Sequence, residues 1–94
     1  MQKKLNNIEA AKLLNDKLFD MRTLEVLTVD GEEYITIRPF TRKEILSVHL
    51  DDLIQFKDGR PAFTMRALRM ITDILNRSET YIHIVDSYTL KVIE

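Results

Sequence analysis

Two histidines, His49 and His83, are the side chains of this sequence best suited to metal or proton chemistry, and neither has a second histidine at ligand spacing. Each falls on an otherwise apolar face. His49 lies in a stretch of helical periodicity and His83 in an alternating one, the setting of a hydrogen-bonded core or interface residue rather than of a ligand. A buried histidine still titrates near neutrality and can couple stability or assembly to pH. The carboxylate pairs make no acid/base couple of the kind hydrolases need. Asp51 and Asp52 are adjacent, so on a helix they point about 100° apart, and Glu32 and Glu33 on a strand face opposite ways. Ser47, Ser78 and Ser87 lack a nucleophile-elbow context. With no cysteine there is no thiol nucleophile and no thiolate zinc site. The two glycines, Gly31 and Gly59, each follow an Asp and build neither a Walker loop nor a dinucleotide-binding turn. These exclusions point away from an enzyme and away from any metal or cofactor.

The remaining candidate chemistry is electrostatic. Residues 38–77 hold eight basic and five acidic groups, a local excess of +3 in a chain whose formal charge is −1. Arg60, Arg66, Arg69, Asn76 and Arg77 cluster in the last part of that stretch, as a contact surface for a partner, a nucleic acid or a small anion. A helix pair followed by a β-hairpin is also the order that ends a winged helix-turn-helix domain, with the helix over 61–77 as reader. Against DNA stand the net charge, which is poor for counterion release, and Asp73, placed to pair with Arg69 one helical turn away. Asp86 at the tip of the would-be wing adds to this. A solvated, ion-paired helix face is the plainer reading of these arginines.

The elements that must position these groups can be read from periodicity and turn chemistry. Ninety-four residues, 45% hydrophobic and 31% charged, suit one domain over residues 1–94 with one modest core. There is no run long enough for a transmembrane helix, and the first residues lack the apolar core of a secretory signal. The absence of cysteine fits a reducing, cytoplasmic setting. Residues 6–22 read as a helix with Ala11, Leu14, Leu18 and Met21 on one stripe; Asn6 and Glu9 are a variant capping box at its start. Glu9, Asp16 and Asp20 form an acidic side. Residues 23–40 read as a hairpin turning at Asp30-Gly31, a pair suited to the type I′ turn. Its register pairs Val29 with Glu32, Leu27 with Tyr34, Val26 with Ile35 and Leu24 with Ile37. Pro39 ends its second strand.

Thr41-Arg42-Lys43-Glu44 is a capping box that starts a second helix, expected over about 42–55, with Ile45, Leu46, His49, Leu50, Leu53 and Phe56 on its apolar side. A rival reading folds 53–64 into a small hairpin around Asp58-Gly59, with Thr64 then capping a shorter third helix. Otherwise that helix spans about 61–77, with Pro61 in its first turn and Phe63, Ala67, Leu68, Met70, Ile71, Ile74 and Leu75 on its apolar side. Residues 80–93 alternate and turn near Asp86-Ser87. That pattern puts His83 with Val85, Leu90 and Val92 on one face, and Ile82, Ile84 and Ile93 with Lys91 on the other.

The expected fold is therefore α+β in the order α-ββ-α-α-ββ, with two antiparallel hairpins, joined or separate, packed by three helices. Both hairpins carry apolar residues on both faces, more than three helices readily cover. Leu27, Val29, Tyr34, Val85, Leu90 and Val92 are accordingly expected to mediate self-association, most economically in a two-fold dimer. In size and in lack of catalytic apparatus the chain resembles small accessory proteins of bacteriophages and mobile elements that inhibit or tune a larger partner, although no motif carries that resemblance. The sequence thus points to a small non-enzymatic binding or regulatory protein acting through protein contact. A winged-helix-like DNA binder and a binder of small anions or nucleotides at an oligomer cleft are the alternatives.

Overall fold

A computed structural model describes residues 4–19, 23–47 and 52–93, the burial of side chains 45–47 excepted. The first helix, α1 (Asn7–Lys17), starts at the expected capping box. The Asn6 side chain accepts from the Glu9 amide at 2.8 Å, and the Glu9 carboxylate accepts from the Asn6 amide at 3.1 Å. It ends earlier than the periodicity implies. The amides of both Leu18 and Phe19 converge on the Leu14 carbonyl, closing the last turn so that Phe19 folds back into the core. Leu18 still packs against that core, whereas Asp20 and Met21 lie outside the described residues.

Strands β1 (Leu24–Val29) and β2 (Glu32–Ile37) form the first hairpin in the expected register, from Val29↔Glu32 to Leu24↔Ile37. Asp30 at φ 52° and Gly31 at φ 81° occupy the two left-handed positions of the turn. Thr41 and Glu44 then exchange the reciprocal bonds of a capping box and open α2 (Arg42–Ser47).

Helix α2 does not extend to residue 55, because residues from 54 onward are strand. Asp52 takes the left-handed conformation at φ 61°, and β3 (Ile54–Lys57) pairs with β4 (Arg60–Phe63) around a second positive-φ Asp-Gly turn, Asp58-Gly59. Pro61 is tolerated in β4 because it faces Phe56, a position whose nitrogen points away from β3. The same alternation turns the Phe63 amide outward, where it donates to the Ser87 carbonyl at 2.8 Å. Thr64, not Pro61, begins the third helix, α3 (Met65–Asn76); its hydroxyl accepts from the Ala67 amide at 3.1 Å. His49, Leu50 and Asp51 lie outside the described residues.

The last hairpin joins β5 (Ile82–Asp86) to β6 (Thr89–Val92). Asp86 pairs with Thr89 but Ile84 pairs with Leu90, so Val85 is an extra residue in a β-bulge. That one-residue shift reverses the face of everything before it. His83 sits opposite Lys91, not beside Val92, and Leu90 and Val92 share their face with Ile82 and Ile84.

The two hairpins pair through β2 and β6 into one antiparallel sheet of order β1-β2-β6-β5, while β3-β4 stays apart. The fold is α+β and keeps the α-ββ-α-α-ββ order, with the short β3-β4 hairpin interposed between α2 and α3. Leu24, Ile35, Ile37, Leu90 and Val92 from the sheet meet Ala10 and Leu14 of α1 and Ala67, Ile71 and Leu75 of α3 in one cluster, closed at one end by Leu53, Ile54 and Phe63. Buried polar groups are used as ties. The Asn7 side-chain oxygen Oδ1 accepts from the Val92 amide at 2.8 Å, and the Thr80 hydroxyl accepts from the Leu5 amide at 2.9 Å. Asn7→Ala leaves the Val92 amide without a partner and should cost about 1–3 kcal/mol. Urea unfolding followed by circular dichroism measures this, and an unchanged midpoint would mean that the tie contributes nothing.

Candidate functional site

With α1 and α3 on one face of the sheet, the other is built from Glu25, Leu27 and Val29 of β1, Glu32, Tyr34 and Thr36 of β2, Thr89 and Lys91 of β6 and His83 of β5. A polar ladder crosses its middle. Lys91 pairs with Glu32 at 2.9 Å and lies 5.2 Å from the centre of the Tyr34 ring, and the Tyr34 hydroxyl donates to Glu32 at 3.0 Å. The hydrogen bond from Lys91 holds the Glu32 carboxyl below its ordinary range, and bonding to Glu32 raises the Tyr34 phenol. Around the ladder the face is apolar and open: Leu27 is 46% exposed, Val29 52% and Val85, at the bulge, 43%.

At the end of this face next to the small hairpin lies a groove of about 350 Å³, walled by Leu27, Phe40, Phe56, Pro61 and Tyr88, with Glu25 and Arg60 among its lining residues. Its wall is set by a chain of contacts that begins in a helix cap. Glu44, placed by its capping box with Thr41, takes both guanidinium nitrogens of Arg38, the shorter contact being 2.6 Å. Arg38 is thereby held over the Phe40 ring, 4.5 Å from its centre. Phe40 in turn meets Phe56 edge-to-face at 6.1 Å. Arg60 lies 4.8 Å over the Tyr88 ring, and among the described residues it is in no ion pair.

The residues singled out in the sequence separate into three places. Leu27 and Arg60 come together at the groove, and Val29, Tyr34 and Val85 are on the open face or at its bulge. Leu90 and Val92 are instead core residues, at 0% and 1% exposure, and cannot be self-association contacts; the pairing of Leu90 with Ile35 sets that side of β6 on the core face. His83 is exposed on the open face rather than set among apolar neighbours. Arg66, Arg69, Asn76 and Arg77 are exposed on or just beyond α3, and none of them lines the groove. Arg69 and Asp73 do not form the expected pair. The helix pair of a helix-turn-helix is interrupted, since β3-β4 separates α2 from α3. Phe40, Phe56, Pro61 and Tyr88 were not anticipated as site residues. Phe56 reads as helix core by periodicity, and the signal that finds it is the Asp-Gly turn at 58–59.

The chain matches no known protein family, no characterised protein and no solved structure in comparisons of sequence and fold.

The bridge behind the groove wall is pH-dependent. Its hydrogen bonds from Arg38 lower the Glu44 carboxyl from an ordinary 4.5 to about 2. Because the folded value is the lower one, the bridge contributes in full above about pH 4.5 and is lost as the pH falls toward 2. Glu44→Gln should therefore lower the urea midpoint at pH 7, with the difference from wild type closing through that acid window. A difference that stays constant from pH 7 to pH 2 would show that Glu44 acts there without its charge.

Proposed function

We propose that this chain is a small non-enzymatic binding protein that acts through protein contact, using the open sheet face and the groove at its end. The observation that carries this reading is an aromatic groove continuous with exposed Leu27 and Val29, on the face of the sheet opposite α1 and α3. Apolar surface of this kind, rimmed by polar groups, is characteristic of sites that receive another protein. The groove suits a partner that inserts an apolar or aromatic side chain with an acidic group beside it. The aromatic walls take the ring or alkyl group, and Arg60, already seated on Tyr88, takes the carboxylate. Regulation of a larger protein by occupying such a contact fits the sequence's lack of catalytic groups.

Affinity capture from the native host tests the reading. A protein retained by wild type should be reduced at least tenfold by Arg60→Glu, an exposed substitution, and by Phe56→Ala once circular dichroism has confirmed its fold. The Arg66→Ala, Arg69→Ala double variant should retain it. Recovery of nucleic acid instead, released steeply by salt and abolished by that double variant, would overturn the reading in favour of DNA binding through α3.

A further inference from the structure

The two edges of the sheet are not alike. The β5 edge is broken by the bulge at Val85, one of the devices by which proteins keep an edge from pairing. The β1 edge, Leu24-Glu25-Val26-Leu27-Thr28-Val29, is regular, with no proline, lysine or bulge. In the antiparallel ladder Thr23, Glu25, Leu27 and Val29 exchange their bonds with β2, as the Arg38 amide to the Thr23 carbonyl shows at 2.9 Å. The amides and carbonyls of Leu24, Val26 and Thr28 therefore face outward. Leu24 is already satisfied: the Asn15 side chain accepts from its amide and donates to its carbonyl, each at 3.0 Å. Asn15 fills the edge like one residue of a neighbouring strand and stops there. Among the described residues, nothing bonds the two donors and two acceptors of Val26 and Thr28.

We infer that β1 pairs with β1 of a second copy, antiparallel about a two-fold axis at Leu27, so that two sheets become one of eight strands. This rests on the protein-contact reading and names a partner for one margin of that surface. The register follows from what is open. Placing Val26 opposite Thr28 of the second copy, and Thr28 opposite its Val26, uses all four outward groups on each chain. A register centred on Val26 would need Leu24, which Asn15 occupies. One centred on Thr28 would set Val26 against the turn residue Asp30, at φ 52° rather than in extended conformation. In the favoured register the two Leu27 side chains, each 46% exposed in the single chain, meet at the axis on the open face. The Asp30 turn of each copy arrives beside Leu24 of the other. There a groove between α1 and the edge is lined by Ile8, Asn15 and charges of both signs, Lys12 and Arg38 with Asp16 and Glu25.

The chain has no cysteine, so a single engineered thiol gives a direct test. Residues facing at the axis form a non-hydrogen-bonded pair with Cα atoms about 4.5 Å apart, within disulfide reach. Leu27→Cys should therefore cross-link nearly completely under mild oxidation, while Val29→Cys, whose copies lie four positions apart in register, should remain uncross-linked. Light scattering should give wild type twice the 11.1 kDa of one chain. Thr28→Pro, which removes an outward amide and no bond to β2, should halve that mass with an unchanged circular dichroism spectrum. If that variant unfolds, the Leu27→Cys and Val29→Cys comparison decides alone. A monomeric wild type overturns the pairing and leaves the groove's capture result standing. A dimer in which Leu27→Cys stays uncross-linked overturns it too, and moves the interface elsewhere without touching the protein-contact reading.

Discussion

The pairing of Ile35 with Leu90 is the contact on which the architecture depends. It joins hairpins far apart in sequence, and both side chains are at 0% exposure. Either hairpin alone is only marginally stable in water, because two strands present too little surface to cover one another. Paired through β2 and β6, they offer a four-stranded platform against which Leu14 of α1 and Ile71 and Leu75 of α3 are buried. Each such side chain contributes roughly 1.5–3 kcal/mol on full burial. The seam is pinned at both ends by polar atoms. The Ile37 amide reaches the Tyr88 carbonyl at one end, and Asn7 takes the Val92 amide at the other. Asn7 accepts where the β2-β6 ladder has already stopped, so a side chain from α1 continues what the strand does not.

A sheet covered by helices on one side must leave the other side wet, filled or shared. Here the outcome differs along the face. Its middle is stabilised by the Glu32–Lys91–Tyr34 ladder, with the Lys91 ammonium on Glu32 and over the Tyr34 ring. Its lower end is partly filled by β3-β4, anchored by the Phe63 amide on Ser87. That hairpin buries Ile54 and Phe63 toward the core and turns Phe56 and Pro61 to the groove. One face of this strand pair thus closes the core at its open end, with Ile54 and Phe63, and builds a binding wall nearer its turn, with Phe56 and Pro61. What is left uncovered is the margin at Leu27 and Val29.

Turn chemistry explains what could be read directly from the sequence. Asp30-Gly31 demanded two positive φ angles in succession, and that requirement fixed six residue pairs without any knowledge of the rest of the fold. The identical dipeptide at 58–59 carried the same information. There it competed with an apolar pattern, from Ile45 to Phe56, that also suits a helix, and the pattern was the weaker guide because strands as short as β3 and β4 barely display a period. The bulge at Val85 left no trace, since nothing in Ile84-Val85-Asp86 marks an extra residue and a plain two-residue turn fits the same letters. That single residue put His83 on the opposite face from Leu90. The groove was illegible for a different reason. Its walls come from β1, the loop after β2, the small hairpin and the β5-β6 turn, and no local pattern reports a juxtaposition of four segments.

Edge control and the groove meet at the same corner of the molecule. Leu27 and Glu25 belong both to the regular edge strand and to the groove lining, so whatever occupies one changes the surroundings of the other. The remaining features place polar restraint elsewhere: the ladder lies toward β6, the bulge on β5, and the arginines on α3. Asn15 is the exception that defines the corner, since it blocks β1 at Leu24 and leaves the strand open from Val26 onward. A strand meant to stay solvated has no need of a side chain that terminates pairing at one residue. A strand meant to pair in one register does, because removing a hydrogen-bonding position from an otherwise uniform edge is what distinguishes one alignment from the next.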